Sequence, residues 1–505
     1  MKARATIHPD FTIAPIDDRL YGAFLEHLGR AIYGGIWEPG HPSADERGFR
    51  RDVLDLVRSL RVPIVRYPGG NFVSTYHWED GVGPVEQRPV RLDLAWRTTE
   101  PNRIGTDEFA DWCKAAGCEP MLAVNLGSRG MDAALGLLEY CNHPGGSRLA
   151  DLRRRNGHAA PHDVRVWCLG NEMDGPWQLG QKTAYEYGRL AQQTARAMRA
   201  FDPRLELVAC GSSHDEMPTY PAWEAEVLDE CYESVDYISL HMYFLNYEQD
   251  YLNYIAKPVL LDRYIETIGG VIDYVKAKKR TNHRVHVCLD EWNVWYHNRR
   301  EDKARCQVWD WPEAPHLLEE PYDFADLLVV GCALNSLIRH ADRVKIACLA
   351  QLVNALAPIM TETGGGVWTQ TIYWPFLMAS RHGRGTALRV ALEVPTYSTR
   401  AAEDVPWLDV AAVRDAAAGT VSLFAVNRHP SETLEFSVAL AGFGPPRLLE
   451  HVRIAHPDLG AVNTADAPDR VRPEPQEGSV VEDGVLRSRL GPCSWHMLRL
   501  ATATA

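Results

Sequence analysis

The segment Val164-Arg-Val-Trp-Cys-Leu-Gly-Asn-Glu172 is a short apolar run that ends in two polar residues, and Val285-His-Val-Cys-Leu-Asp-Glu291 repeats this arrangement further along the chain. A strand that is buried on both faces of a parallel sheet has this nearly continuous apolar composition. The ionisable residue behind each run then lies at the C-terminal tip of a strand. Both segments therefore predict buried parallel strands.

Six more runs of this kind occur, with helical stretches between them. The eight predicted strands are Leu20–Glu26, Pro63–Tyr67, Met121–Asn125, Val164–Glu172, Leu207–Gly211, Tyr237–His241, Val285–Glu291 and Val344–Gln351. The helix candidates include Asp52–Leu60, Thr106–Ala116, Lys182–Phe201 and Leu260–Lys279, which have apolar residues at helical spacing. Eight alternating strands and helices predict an α/β fold, a closed (β/α)8 TIM barrel.

Polar residues end seven of these runs. They are Glu26, Arg66, Asn125, Glu172, His241, Glu291 and Gln351. A single polar residue often marks only the point where a strand meets solvent. In a barrel, however, the C-terminal tips surround one mouth, where active sites lie. Because side chains alternate along a strand, we expect only one member of Asn171-Glu172, and one of Asp290-Glu291, to point fully into the barrel.

The pattern changes after residue 384 to short alternating segments bounded by Gly, Pro and Asp, such as Val421–Val426, Leu434–Leu440 and Val485–Leu490. This pattern predicts an antiparallel β-sandwich, jelly-roll-like in type. Lys2–Ile7 alternates too and has no place in the barrel. We therefore predict an N-terminal strand in residues 1–17 that completes the sandwich, a catalytic barrel in residues 18–384 and a C-terminal sandwich in residues 385–505. Gly366–His382 is interpreted as the last barrel helix.

A long segment, Trp295–Tyr322, follows the seventh predicted strand and is rich in charge and tryptophan. A connection of this length in a compact domain is usually functional or mobile. It is interpreted as a flap over the mouth or as an oligomer contact.

Composition restricts the partners. The net charge of −14 disfavours nucleic acid, which is bound through clustered Lys and Arg. No apolar run has membrane-spanning length, and residues 1–13 do not resemble a secretory signal. The eleven cysteines form no CxxC pair and are interpreted as small buried hydrophobic residues of a reducing compartment. We expect a soluble cytoplasmic protein.

Glu172 and Glu291 follow the fourth and seventh predicted strands, on opposite sides of one mouth. Cleavage of an acetal requires a proton for the departing oxygen and a second carboxylate that attacks the anomeric carbon or activates water. The pair is suited to these roles. The distance between the carboxyl groups, which separates retention from inversion, cannot be obtained from the sequence.

The chain resembles family 51 of the glycoside hydrolases, the α-L-arabinofuranosidases. The segments that carry the resemblance extend through the whole predicted barrel. They are Tyr21–Arg30, Arg66–Asn71, Trp78–Pro84, Arg91–Trp96, Asn125-Leu-Gly, Cys168–Trp177, Ser239–Tyr243, Asp290–Tyr296 and Gln351–Asn354. The resemblance implies a retaining, exo-acting enzyme that removes terminal α-L-arabinofuranosyl units from arabinan- or arabinoxylan-derived oligosaccharides.

The resemblance also implies roles for single residues. Glu172 matches the acid/base and Glu291 the nucleophile, and Arg66 and His241 are expected to orient these carboxylates. Residues that match the substrate pocket are Glu26, Asn71, Trp96, Asn171, Trp177, Tyr243 and Gln351. The family tends toward hexamers, so self-association is expected.

Three other interpretations stay open. The protein could be a relative of the same family acting on another sugar, such as an endoglucanase or a β-xylosidase, or a non-catalytic carbohydrate-binding protein. Arg66 and His241 could have structural roles only.

No cofactor and no metal site is expected, because no HExxH or ligand-spaced His pair is present. Gly69-Gly70 is interpreted as a tight turn that aims Asn71 inward rather than as a phosphate cradle.

Overall fold

A computed structural model describes residues 1–502, and its centre is a closed barrel of eight parallel strands. The strands neighbour one another in chain order. They are Gly22–Phe24, Ile64–Tyr67, Glu119–Ala123, Val166–Leu169, Glu206–Ala209, Tyr237–Phe244, His286–Val294 and Val344–Leu349. Each lies within or overlaps one of the predicted runs, so the predicted barrel is confirmed.

Helices cover the barrel from outside. They are Arg51–Leu60, Thr106–Ala116, Met131–Asn142, Arg148–Arg155, Ala184–Phe201, Ala222–Cys231, Pro258–Lys279, Phe324–Arg339 and Tyr373–His382, with the shorter helices Tyr251–Ala256 and Arg299–Arg305 in loops. The prediction of one helix over Gly366–His382 was wrong in its first part. Val367–Thr369 is a strand that pairs with Ile359–Thr361, and the helix begins only at Tyr373.

Two sheets form the remaining unit. The first contains Ala391–Glu393, Lys2–Thr6, Leu434–Ala439, Val485–Leu490 and Val480–Glu482 in that order. The second contains Thr12–Pro15, Thr386–Leu388, Leu408–Asp415, Thr420–Asn427, Ser494–Ala501, Arg447–Ala455 and Glu474–Pro475. The N-terminal strand Lys2–Thr6 runs parallel to Leu434–Ala439 and antiparallel to Ala391–Glu393.

The central strands of the second sheet are buried on both faces. Along Leu408–Asp415, Val410 and Ala412 join an apolar cluster with the first sheet, whereas Ala411 and Val413 belong to the barrel cluster. The alternation of strand side chains therefore divides one strand between two cores. Asp409 reinforces the barrel side, because it accepts a hydrogen bond from Asn335 at 2.7 Å and pairs with Arg339.

Nine of the eleven cysteines are buried, and all are free thiols. They fill strands and helix faces as small apolar residues, in agreement with the sequence interpretation. Over residues 1–502, no helix combines the length and apolar character that a bilayer span requires.

Candidate active site

The turn after the fourth barrel strand presents Asn171 and Glu172 together. Gly170 has φ 96° and Glu172 has φ 43°, in the left-handed region. A non-glycine residue adopts this conformation at a cost of roughly 1–2 kcal/mol, and such residues cluster at functional sites. The turn leaves extended geometry, so alternation no longer applies. Both side chains point into the mouth, and the expectation that only one would do so was wrong.

A β-bulge has the same effect on the seventh strand. Ser239 of the sixth strand pairs with Cys288, but His241 pairs with Glu291, so the seventh strand has one extra residue between these pairs. A bulge interrupts the alternation of side chains. Asp290 and Glu291 therefore both reach Arg66 inside the barrel. The expectation for this pair was also wrong.

The two predicted catalytic carboxylates face each other. Ligand atoms of Glu172, His241 and Glu291 all lie within 4.8 Å of one another. Retaining glycosidases separate their carboxyl groups by about 5–5.5 Å and inverting ones by about 6.5–9.5 Å. An oxygen of Glu172 and an oxygen of Glu291 within 4.8 Å of each other agree with the shorter of these two separations.

Glu291 is surrounded by donors. Arg66 Nη1 donates to Oε1 at 2.6 Å, and Tyr243 Oη donates to Oε2 at 2.9 Å. Arg66 also donates from Nη2 to Asn171 Oδ1 at 2.7 Å. The guanidinium is buried, which by itself lowers its pKa, but the charges of Asp290 and Glu291 raise that pKa well above the ordinary value. Arg66 is therefore a permanent cation that compensates the buried carboxylates.

Glu172 has a different environment. Burial raises its pKa, the charge of Glu291 raises it further, and hydrogen bonds from His241 and Trp177 act in the opposite direction. His241 Nδ1 lies 3.0 Å from Oε1, and Trp177 Nε1 donates to Oε2 at 2.5 Å. A carboxyl group with a raised pKa is suited to hold a proton at neutral pH and to release it in the reaction.

Glu26 closes the pocket on another side. Its Oε1 accepts hydrogen bonds from the backbone N–H of Phe72 at 2.9 Å and from Trp96 Nε1 at 3.0 Å. Gln351 Oε1 accepts from the Glu26 backbone N–H at 3.0 Å. Burial, together with the charge of Glu291, raises the pKa of Glu26 to about 8. Glu26 is therefore largely protonated at neutral pH and can donate to a sugar hydroxyl as well as accept.

The glycine pair makes room for Glu26. A Cβ atom on Gly70 would lie 2.5 Å from Glu26 Oε2, and one on Gly69 would lie 3.0 Å from Glu26 Oε1. Neither glycine has a positive φ. The need for glycine here is close approach to the Glu26 carboxyl group rather than backbone conformation.

The structure brings all eleven predicted site residues to this mouth. Two of them, Asn71 and Trp177, are less closely joined to the rest. Asn71 touches the others only through a long hydrogen bond of 3.4 Å from Asn171 Nδ2. Trp177 stands at the rim, with 46% of its surface exposed. Asn125, a strand-tip residue, does not join the site, because its Oδ1 accepts from the backbone of Gly127 and Ser128 and so shapes the loop after the third strand.

Sequence reasoning missed two polar residues at the site. Gln178 Oε1 accepts from Asn171 Nδ2 at 3.4 Å. Asp290 is 1% exposed and lies beside Arg66 and His241. The sequence did contain a signal for Asp290, the consecutive acidic pair, but strict alternation excluded it from the barrel interior.

The segment after the seventh strand packs beside the nucleophile candidate. The Trp295 ring contacts Tyr243 edge to face with centroids 5.4 Å apart, and the Arg299 guanidinium lies 4.1 Å from the Trp295 ring centroid. The segment then returns to the 91–100 hairpin, where Thr99 donates from its backbone N–H to the carbonyl of Pro312 at 3.1 Å. This segment therefore joins two sides of the mouth.

A (β/α)8 barrel with paired carboxylates at this spacing has the architecture of a glycoside hydrolase. Two family models match the chain. The Alpha-L-arabinofuranosidase 1 domain covers residues 56–257, and the Alpha-L-arabinofuranosidase C-terminal domain covers residues 290–494.

Relatives match over nearly the full length. The intracellular exo-α-(1→5)-L-arabinofuranosidase of Halalkalibacterium halodurans is 52% identical, with 99% of each chain covered. An exo-α-(1→6)-L-arabinofuranosidase of Bifidobacterium longum is 46% identical over 98% of this chain and 96% of its own. A family 51 α-L-arabinofuranosidase structure from Bifidobacterium longum superposes with a TM-score of 0.94 at 43% identity, covering 98% of this chain and 99% of that one.

The chain belongs to the α-L-arabinofuranosidases of glycoside hydrolase family 51. The resemblance identified from the sequence motifs is thereby confirmed, and the protein is a glycoside hydrolase.

Proposed function

We propose that the protein is a retaining, exo-acting α-L-arabinofuranosidase in which Glu172 is the general acid/base and Glu291 the nucleophile. The observation that carries this proposal is that an oxygen of Glu172 and an oxygen of Glu291 lie within 4.8 Å of each other in different environments. Glu291 has a permanent cation and a phenol as donors, whereas Glu172 faces His241 and Trp177 and has a raised pKa.

The geometry supports two displacements. An oxygen of Glu291 attacks the anomeric carbon while Glu172 transfers its proton to the glycosidic oxygen, so the carbon–oxygen bond breaks and the aglycone leaves as an alcohol. Water then attacks the glycosyl-enzyme ester and gives its proton to Glu172. Glu291 departs as a carboxylate, and arabinose is released with its original anomeric configuration.

The pocket residues support exo action on a small ring. Glu26, Asn71, Asn171 and Gln351 supply donors and acceptors, and Trp96 and Trp177 supply aromatic walls. Asn171 is held by Arg66 at 2.7 Å, close to the attacking oxygen, as a contact to the 2-hydroxyl would require. Such a set fixes one terminal sugar by complementary hydrogen bonds.

The substrate and the cellular location are inferred from relatives. Relatives from Halalkalibacterium halodurans, Acetivibrio thermocellus and Bacillus subtilis, 51–52% identical over the full chain, carry names of intracellular exo-α-(1→5)-arabinofuranosidases. We infer the same action on arabinan-derived oligosaccharides inside the cell, as a self-associated enzyme, hexameric by family resemblance. We retain the division at residues 17 and 384 into N-terminal strand, barrel and sandwich.

Azide rescue tests the two catalytic roles. Glu291→Ala should abolish turnover of 4-nitrophenyl α-L-arabinofuranoside, and azide should restore it with a β-arabinofuranosyl azide as product, because azide occupies the vacated nucleophile position. Glu172→Ala should retain turnover of substrates with good leaving groups and yield the α-azide. A β-azide from the Glu172 variant would reverse the assignments.

Aryl glycosides test the substrate class. The wild-type enzyme should hydrolyse the arabinofuranoside far faster than the 4-nitrophenyl xylopyranoside or glucopyranoside, because the hydrogen-bonding groups are fixed around one ring. Hydrolysis of either pyranoside with the arabinofuranoside left intact would reject the proposal in favour of a xylosidase or glucanase.

A further inference from the structure

Asp290 is a buried carboxylate that the double displacement does not use. It is 1% exposed, and the β-bulge of the seventh strand turns it into the barrel. Arg66 Nε lies 3.0 Å from its Oδ2, and His241 Nε2 lies 3.4 Å from its Oδ1. Ser239 Oγ also donates to Oδ1. Asp290 therefore contacts both Arg66 and His241.

His241 lies between Asp290 and the two catalytic carboxylates. Its Nε2 faces Asp290, while its Nδ1 lies 3.0 Å from Glu172 Oε1 and 3.6 Å from Glu291 Oε2. Asp290 faces Nε2, and Glu291 faces Nδ1 whichever protonation state Glu172 has, so a neutral imidazole with its single N–H would leave one of these two anions without a donor. The surroundings therefore favour the imidazolium.

The charges in the site support this protonation state. With Glu172 protonated, the two anions that remain in contact with His241 are Glu291 and Asp290. Arg66 and the imidazolium balance their charges. The ionisable groups that face His241 are Glu172 and Glu291 at Nδ1 and Asp290 at Nε2, and the charge of Asp174 also acts on it. The groups next to these carboxylates are Arg66, Tyr243, Glu26 and Cys168.

We propose that Asp290 is a positioning residue that keeps His241 in its cationic form, with the Nδ1–H directed at Glu172 and Glu291, and thereby sets the pH range of catalysis. This proposal rests on the proposed roles of the two glutamates. Burial raises the pKa of Glu172, and the His241 cation partly offsets that rise. Asp290 acts through His241 and touches neither the sugar nor the reacting atoms.

Removing the negative charge of Asp290 should release the proton of His241 near neutral pH. Glu172 then loses a neighbouring cation, and the loss of a nearby opposite charge raises the pKa of a carboxyl group. The alkaline limb of the pH profile of kcat/KM, which falls as Glu172 loses its proton, should therefore move to higher pH in Asp290→Asn, by about one unit. A merely structural loss would lower activity without moving this limb.

A double-mutant cycle tests whether Asp290 acts through His241. The pH profile of 4-nitrophenyl α-L-arabinofuranoside hydrolysis is measured for wild type, Asp290→Asn, His241→Gln and the double variant. We expect each single variant to show the upward shift and the double variant to show no further shift. An alkaline limb that stays at the wild-type pH in Asp290→Asn, or two shifts that add in the double variant, would overturn the proposal.

His241→Gln decides the question if Asp290→Asn does not fold. If the alkaline limb of the His241 variant coincides with that of wild type, the imidazolium does not set the pH range and the proposal fails. The azide products test the two glutamates separately. A reversed azide assignment would remove the proposed catalytic roles, whereas correct azide products with an unshifted alkaline limb would remove only the role of Asp290.

Discussion

Trp177 joins two functions in one side chain. Its indole N–H donates to Glu172 Oε2, while its ring stacks on His214 with centroids 6.1 Å apart at the rim of the pocket. A donor to a carboxylate favours the ionised form, so this hydrogen bond lowers the pKa of Glu172 against the effect of burial. The residue proposed as a wall of the sugar pocket thus also adjusts the pKa of the proposed acid.

Trp177→Phe should separate these functions. Phenylalanine keeps an aromatic wall but cannot donate, so the pKa of Glu172 should rise. Because Glu172 must be protonated when the glycosidic bond breaks, the alkaline limb of kcat/KM should move up by about 0.5–1 pH unit, the equivalent of one hydrogen bond. The measurement is the pH profile with an aryl arabinofuranoside.

His214→Ala is the matched control for this substitution. It removes the stacking partner of Trp177 and leaves the N–H donor in place, so KM should change while the alkaline limb stays. An unmoved limb in Trp177→Phe, or equal movement in both variants, would contradict the role given to the indole N–H.

At the level of elements, the loop after the seventh barrel strand is held by one buried carboxylate, that of Glu320. Glu320 is fully buried and accepts from the backbone N–H groups of Tyr296 at 3.2 Å, His297 at 2.7 Å and Asn298 at 2.8 Å. The loop it fastens begins next to Trp295, which packs on Tyr243. Glu320 thereby connects the end of the long segment to the donor of Glu291.

Glu320→Ala should destabilise both the fold and the site. One buried and two partly buried N–H groups would lose their acceptor, which we expect to cost about 2–4 kcal/mol in all. The midpoint of thermal unfolding, followed by circular dichroism, should fall, and kcat should fall even at temperatures where the variant is folded. Glu313→Ala, which removes only an exposed ion pair with Arg103, should change the midpoint little.

An activity of folded Glu320→Ala equal to that of wild type would mean that the loop does not position Trp295 and Tyr243. An equal loss in the Glu313 variant would point to general sensitivity of the long segment rather than to its anchor.

The elements also show what the sequence could predict. The barrel strands are recognisable because burial on both faces requires continuous apolar runs, and Glu172, His241 and Glu291 lie near their C-terminal ends. The sixth and seventh strands continue three residues further than predicted, to Phe244 and Val294. The bulge at Asp290 and the left-handed turn at Glu172 were not predicted, because both depend on register and backbone angles set by neighbouring strands. The start of the last helix was missed because Val367–Thr369, although its residues favour strands, was joined to the helix that follows it, and its pairing with Ile359–Thr361 was not predicted.

Across the whole molecule, the barrel and the sandwich share a charged contact. Asp409, on the second sheet, binds Arg428 Nη2 at 2.6 Å and Arg339 Nη1 at 2.9 Å, and Arg339 belongs to a barrel helix. Composition and alternation predicted the sandwich, but they could not predict which face of its strands meets the barrel. That choice depends on pairing between distant segments.

The sandwich also contains a buried histidine chain. His451 Nε2 lies 2.9 Å from His496 Nδ1, and the outer nitrogens reach Ser479 Oγ and Ser494 Oγ at 2.7 Å each. Burial lowers the pKa of His451 to about 4, with a contribution from Arg453. Burial, His451 and Arg453 lower the pKa of His496 well below its ordinary value. Both rings are therefore neutral in the folded protein.

Protonation of His451 and His496 should therefore lower the stability of the folded protein in acid. An unfolded histidine has a pKa near 6.5, so below that pH the unfolded chain binds more protons than the folded one, and stability falls as pH falls. The loss begins near pH 6.5 and continues to about 4 for His451. At pH 5 each of the two histidines should remove about 2 kcal/mol. His286 and His382, whose pKa values burial also lowers to about 4, act in the same direction.

The measurement is the thermal midpoint between pH 8 and pH 5 for wild type and for His451→Gln. The variant loses a hydrogen bond and should be less stable at pH 8, but its midpoint should fall less steeply with pH, because one group no longer takes up a proton on unfolding. His316→Gln is the control, since that ring is 74% exposed and should leave the slope unchanged. Equal slopes in wild type and His451→Gln would mean that the chain is already protonated in the folded state and that acid acts elsewhere in the molecule.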